Sequence, residues 1–293
     1  MGGQCTREGY GDPDGVSEGM KTEKNRPLHR GDNVGVLVAS SPIGAVYMEK
    51  GHRELIRLGL GFIDEKDALY GCHYMSREPQ ERAEALIDFF NDSRIGAVWL
   101  ARGGYGANLM LPCLDRMDTP ERRLPVLGSS DGCYLLWYLL ERWRTPVFLA
   151  PMIYATMTCE AGYDAVSLNW ALFGEGEPPR VPGKSSMDFR CHGKLHGGCL
   201  SMLTSLLSTP FMPRLSGTLL IVEDVGERPY RLERMIWQLI VSGCLEGVKA
   251  ILFGQFPSCF KDEGEKKHFL GRMTEMLQPL NIPWAFDFPL GHA

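Results

Sequence analysis

Residues 123–140 read RLPVLGSSDGCYLLWYLL: a short apolar run, a polar turn bracketed by glycines, then a longer apolar run. A few apolar residues ending in turn formers fit a buried strand, and the longer run fits a helix. The stretch thus predicts a strand that passes straight into a helix, the unit from which parallel sheets are built. The pattern repeats upstream. NVGVLVA (33–39) and IGAVWL (95–100) read as buried strands and 46–58 as a helix. Residues 78–91 carry Ala83, Leu86, Ile87, Phe89 and Phe90 at helical spacing, so one face of that helix should pack on the sheet. The first half of the chain is therefore expected to be α/β with a mostly parallel sheet.

Farther out the pattern loosens. Residues 174–186, GEGEPPRVPGKSS, are rich in Gly, Pro and Ser and mark a connection. Beyond it come a helix at 199–207, a strand at TLLIV (218–222), a helix at 230–241, a strand at 248–253, a helix at 266–277 and a terminal strand-like IPWAFDF. The expected division is a disordered tail at 1–26, an N-terminal α/β domain at 27–158, a linker at 159–188 and a second domain at 189–293.

Composition narrows the function. A net charge of −5 gives no long-range attraction to nucleic acid or to an anionic membrane, so a small peptide or other small molecule is the expected partner. Nine cysteines, odd in number and without a CxxC pair, do not form a disulfide framework and point to a reducing compartment. The polar, Gly-rich start lacks the apolar segment of a signal peptide, and a cytoplasmic location is expected.

The turn at 128–132 carries the sharpest chemical signal, because Gly128, Ser130 and Gly132 form G-x-S-x-G between a strand and a helix. There a serine is pushed out on a tight bend, with the positive end of the helix aimed at developing negative charge. Ser130 is the candidate nucleophile; the alternative is a helix N-cap. A second Gly-rich loop, Arg102-Gly103-Gly104-Tyr105-Gly106, follows the strand ending at Leu100. It lacks the Lys-Ser/Thr of a P-loop and the G-x-G-x-x-G spacing, so it fits an oxyanion-hole donor better than a nucleotide loop. Arg102 is placed to pair with a substrate carboxylate or to brace a strand end.

Glu223 and Asp224 follow TLLIV, where a strand end delivers an acid to the sheet edge. His292 closes Pro289-Leu290-Gly291 and is the candidate base, although it stands one residue from Ala293, where chain ends fray. The run Cys191, His192, His196, Cys199 contains plausible metal ligands at an unfamiliar spacing, and is read as ordinary thiols and turn histidines with no metal.

Four ordered blocks, GDNVGVLVASSP (31–42), ARGGYGAN (101–108), GSSD (128–131) and VEDVGERPYRLERM (222–235), resemble the LD-carboxypeptidases, serine peptidases that include microcin C immunity carboxypeptidases. The resemblance implies Ser130 as nucleophile, Glu223 as triad acid, His292 as base, and an oxyanion hole made by the backbone N–H groups of Gly104 and Asp131. It also implies a flavodoxin-like N-terminal domain joined to a smaller β-rich C-terminal domain, no cofactor, and a cytoplasmic homodimer releasing the terminal D-alanine of murein tetrapeptides in cell-wall recycling. Ser129 stands where the family usually has an aromatic residue, and Cys199 where it usually has Asn. Two other functions compatible with the same blocks are an immunity-type peptidase or amidase acting on peptidyl- or aminoacyl-nucleotide conjugates, and an inactive peptide-binding homologue.

Overall fold

Five short β-strands alternating with helices set the frame of the N-terminal half. The structure, a computed structural model, describes residues 28–66, 73–153, 162–181, 183–185 and 188–292. The tail expected at 1–26 lies outside the described residues.

The first half contains β1 (Asn33–Leu37), α1 (Ala45–Arg57), β2 (Gly61–Asp64), α2 (Pro79–Asn91), β3 (Ile95–Leu100), α3 (Ala107–Leu114), β4 (Val126–Gly128), α4 (Cys133–Arg142) and β5 (Val147–Leu149). The five strands lie in the order β2-β1-β3-β4-β5, and every pair is parallel. This is the flavodoxin-like order, in which the chain reverses direction across the sheet between β1 and β3 and opens a crevice at their carboxyl ends. The loops after β1, β3 and β4 all meet at that edge.

After α5 (Ala165–Phe173), a second sheet is built from β6 (Lys184–Ser185), β7 (Lys194–Cys199), β8 (Thr218–Glu223), β9 (Ala250–Phe253) and β10 (Trp284–Phe286), with α6 (Leu200–Ser205), α7 (Pro229–Val241) and α8 (Glu263–Leu277) between them. Its order is β6-β10-β9-β8-β7, parallel except for the β6–β10 pair. The chain is thus α/β with two sheets, the second mixed. Residues 165–173, within the stretch read as a connection, form α5: Asp164 caps it by accepting from the N–H groups of Val166 and Ser167, and Leu168 and Leu172 are buried.

The opening stretch explains how the halves join. From Cys133 to Leu139 every residue of α4 is buried, and a helix that is apolar all round must be covered on all sides. Its cover comes from both sheets. Trp137 Nε1 donates to Gly197 O of β7 at 2.9 Å, and the Tyr134 hydroxyl lies 2.5 Å from Ser205 Oγ of α6. One continuous apolar core accordingly runs from Leu86, Phe90 and Trp143 through α4 to Leu220, Phe253 and Trp284.

Candidate active site

Ser130 begins a single 3-10 turn, Ser130–Gly132, between β4 and α4. Its φ of 55° lies in the left-handed region, which a serine occupies only when its surroundings hold it there. Such a turn lifts the side chain off the strand end into the crevice. Across from it, the Gly-rich loop passes so closely that a Cβ on Gly103 would stand 2.8 Å from Ser130 Cβ and Oγ, and 3.6 Å from Asp131 N. Gly103 is there because nothing larger fits. We expect Gly103→Ala to lower kcat by about 10²-fold through displacement of the Ser130 hydroxyl, with the circular dichroism spectrum unchanged; parent-like kcat would contradict this packing.

Glu223 ends β8 and is fully buried. His292 Nδ1 lies 2.6 Å from Glu223 Oε2, and the ring keeps only 18% of its surface exposed. A carboxylate accepts and does not donate, so the geometry assigns the proton to Nδ1 and leaves Nε2 as the free base. Burial pushes the imidazole pKa down, but the hydrogen bond and charge of Glu223 outweigh it and hold the pKa above the usual histidine value. Nε2 is buried and makes no hydrogen bond among the described residues. The structure therefore joins Glu223 to His292, while Ser130 Oγ is not bonded to the ring. In unliganded enzymes catalytic hydrogen bonds are often open and tighten with substrate.

The fraying expected at His292 is countered by a short ladder. Gln255 N donates to Leu290 O at 2.7 Å and Phe288 N to Phe253 O at 3.2 Å, so the segment follows the end of β9. Gly291, with φ of 129°, takes the chain so close to the acid that a Cβ there would meet Glu223 Oε2 at 3.0 Å. Beside this pair opens a cavity of about 340 Å³ whose wall includes Ser129, Phe148, Tyr163, Trp170, Glu223 and Gly291, drawn from both halves of the chain. A larger one, about 580 Å³, lies between the end of β9 and α8 among Phe253, Phe256, Phe260 and Phe269, and contains no member of the Ser130, Glu223, His292 set.

Of the remaining residues, Arg102 Nη1 donates to Pro42 O at 2.7 Å, so one end of its fork braces the loop after β1. Asp131 is 2% exposed, and its carboxylate Oδ2 accepts from Ser40 Oγ at 2.6 Å and from Ala107 N at 2.8 Å. Burial raises its pKa against these hydrogen bonds. His196 sits in β7 with its ring buried, Nε2 3.7 Å from Glu141 Oε1, and burial pushes its pKa down to about 4. Cys199, at the end of the same strand, is a buried thiol whose pKa burial raises. No group of three or more His, Cys, Asp or Glu side chains among the described residues is arranged to hold a metal.

The sequence reading did not single out Arg82, a fully buried guanidinium that donates to Ala39 O behind the crevice. Its signal was present: Arg82 stands four and seven residues before Leu86 and Phe89, on the apolar face of α2. A charge on that face calls for a buried partner.

The profile of the LD-carboxypeptidase N-terminal domain matches residues 34–150, and that of the LD-carboxypeptidase C-terminal domain matches 192–293. The chain belongs to the LD-carboxypeptidase family. Among its relatives, the murein tetrapeptide carboxypeptidase of Pseudomonas aeruginosa is 29% identical over 272 residues, covering 88% of this chain and 87% of the relative. Among solved structures, the muramoyltetrapeptide carboxypeptidase of Oxalobacter formigenes superposes with a TM-score of 0.74 at 25% identity, covering 89% of each chain. The microcin C7 self immunity protein MccF, in complex with glutamyl sulfamoyl guanosine, superposes with a TM-score of 0.78 at 21% identity over 91% of this chain and 90% of its own. The two family profiles fall on the two sheets, except for β6, and the Glu223–His292 bond lies within the C-terminal profile.

Proposed function

We propose that this LD-carboxypeptidase is a serine enzyme that releases the terminal D-alanine of murein tetrapeptides, with Ser130 as nucleophile, His292 as base and Glu223 as the orienting acid. The observation that carries the reading is the 2.6 Å Glu223–His292 bond, which in the neutral ring places the proton on Nδ1 and leaves the buried Nε2 free to accept one. In this reading Nε2 takes the Ser130 proton as Oγ attacks the scissile carbonyl, and the N–H groups of Gly104 and Asp131 hold the oxyanion. The imidazolium then protonates the departing D-alanine amine. Water, deprotonated by the same nitrogen, hydrolyses the acyl-enzyme and restores the serine. The names of the Pseudomonas and Oxalobacter relatives support the substrate class.

The proposal extends to a cytoplasmic homodimer acting on recycled wall peptides. Cys113, Cys133, Cys191, Cys199, Cys244 and Cys259 are free thiols, in keeping with a reducing compartment. No helix among the described residues is long and apolar enough to cross a membrane.

The likeness to MccF motivates a second substrate arm, a glutamyl sulfamoyl nucleoside. With both substrates offered separately to purified protein, we expect free D-alanine from the tetrapeptide with kcat/KM at least about 10-fold above that for the conjugate. The reverse ranking would move the assignment to an immunity-type peptidase. Folded protein that turns over neither would support the inactive peptide-binding homologue.

A further inference from the structure

The two backbone N–H groups of the proposed oxyanion hole sit on different segments: Asp131 in the turn after β4 and Gly104 in the loop after β3. No single turn fixes their separation. The loop after β1 links them. Ser40, fully buried, donates its hydroxyl to the Asp131 carboxylate at 2.6 Å. Its neighbour Ser41 works on the other side: Ser41 Oγ accepts from Tyr105 N at 3.2 Å, and Ser41 N donates to Gly103 O at 3.3 Å. The two segments are also tied directly, because Asp131 Oδ2 accepts from Ala107 N at 2.8 Å.

We propose that Ser40 and the Asp131 carboxylate form a positioning pair that sets the spacing of the oxyanion donors, with Ser41 holding the Gly104 side. The inference rests on the serine-peptidase reading above and goes beyond it by giving the Asp131 side chain a task separate from that of its own backbone N–H. A buried carboxylate without partners is costly, and here one oxygen collects a donor from each of the two neighbouring loops. The buried Arg82 guanidinium supplies the opposite charge and itself donates to Ala39 O, one residue before Ser40. A simple cap on α3 would require only the Ala107 contact, whereas the Ser40 bond reaches across the crevice to a third strand end. The three N-terminal sequence blocks thus become one hydrogen-bonded unit, since Ser40 lies in the first, Ala107 in the second and Asp131 in the third.

The test compares Ser40→Ala with Ser76→Ala in the full chain. Ser76 is equally buried and donates its hydroxyl to Val38 O at 2.7 Å, bracing the segment next to Ser40 without touching Asp131. It therefore reports the purely structural cost of losing a hydroxyl there. With murein tetrapeptide as substrate, Ser40→Ala should lose about 10- to 100-fold in kcat, keep KM within about 3-fold, and show the same acid limb in its pH profile, because His292 and Glu223 are untouched. Ser76→Ala should keep kcat within about 3-fold even if its melting temperature falls as far. Parent-like kcat in folded Ser40→Ala, or an equal kcat loss in Ser76→Ala, would overturn the pair.

Should Ser40→Ala fail to fold, Ser40→Cys carries the test, because a thiol fills the same space but is a weak donor to the Asp131 carboxylate. A kcat-specific loss supports the pair, and an unchanged kcat overturns it. Failure of the underlying reading looks different: a parent chain that neither releases D-alanine nor reacts at Ser130 with a fluorophosphonate would remove the reading and the pair together.

Discussion

Ser130→Ala is expected to lower D-alanine release from murein tetrapeptide by about 10⁴- to 10⁶-fold, with KM changed only a few-fold. The effect is large because acyl transfer needs a nucleophile at that point in space. Water replacing the hydroxyl would have neither its position nor its access to the His292 ring. Stability should move little or rise. Ser130 is half-exposed and held at a positive φ, so removing its hydroxyl leaves no buried group unsatisfied. Residual turnover would come from substrate binding and the oxyanion donors. Steady-state release of D-alanine by the variant measures this, and a loss below about 10-fold would be incompatible with a covalent role for Ser130.

Glu223→Gln is the second large effect, with an expected loss of about 10³- to 10⁴-fold in kcat. A carboxylate at 2.6 Å accepts the Nδ1 proton and so leaves Nε2 of the neutral ring free for the proposed role of base. The glutamine amide offers a donor as well as an acceptor, and a ring that turns its Nδ1 lone pair to that donor carries its proton on Nε2, where it cannot accept one. The pH dependence gives a second readout. His292 must be neutral to act, and its pKa stands above the usual histidine value, so parent activity should fall as pH is lowered through that raised value. Without the glutamate charge the larger raising influences are gone, Asp224 alone still favours the charged ring, and burial still lowers the pKa, so the acid limb of Glu223→Gln should move to lower pH. An unmoved limb would mean that another group sets it. Stability follows the same linkage: with the folded pKa raised, the Glu223–His292 contribution is complete below the unfolded histidine value of about 6.5 and is lost as pH rises through the folded one.

Much of the N-terminal half was legible because its signals are local. The stretch 123–140 predicted a strand, a turn and a helix, and β4, the Ser130 turn and α4 occupy it. The edge strands escaped because β2 and β5 are short and only half-buried, so neither carries the dense apolar run that marks the fully buried β4. β7, KLHGGC, escaped for a different reason. Its two glycines and its histidine are poor strand formers, and the segment is extended because six consecutive residues pair with β8, from Lys194 opposite Thr218 to Cys199 opposite Glu223. α5 lies beside a Gly- and Pro-rich run that read as connection, though Asp164 ahead of AVSLNWALF was a cap signal.

The site divides along the same line. Ser130 and the Gly-rich loop were visible because the strand-to-helix context that makes the chemistry possible is written in adjacent residues. Glu223 and His292 are separated by 69 positions, and their meeting depends on the path of the chain past β9 through Phe288 and Leu290, which spacing alone does not encode. His292 was a candidate because it closes a strand-like run, and the resemblance implied the same residue; in the structure its Nδ1 lies 2.6 Å from Glu223 Oε2. The Ser40–Asp131 link is still less local, since it spans 91 positions and involves a serine that reads as an ordinary loop residue.

In the proposed mechanism the Ser130 hydroxyl is activated by a histidine whose proton affinity is raised by a buried carboxylate. The most direct measurement is the rate at which a fluorophosphonate modifies the protein as a function of pH, with the adduct located by peptide mass mapping. One adduct is expected, on Ser130, forming more slowly as pH is lowered through a pKa above that of an ordinary histidine. An adduct on another serine, no adduct on the folded chain, or a Ser130 rate indifferent to pH across the histidine range would contradict it.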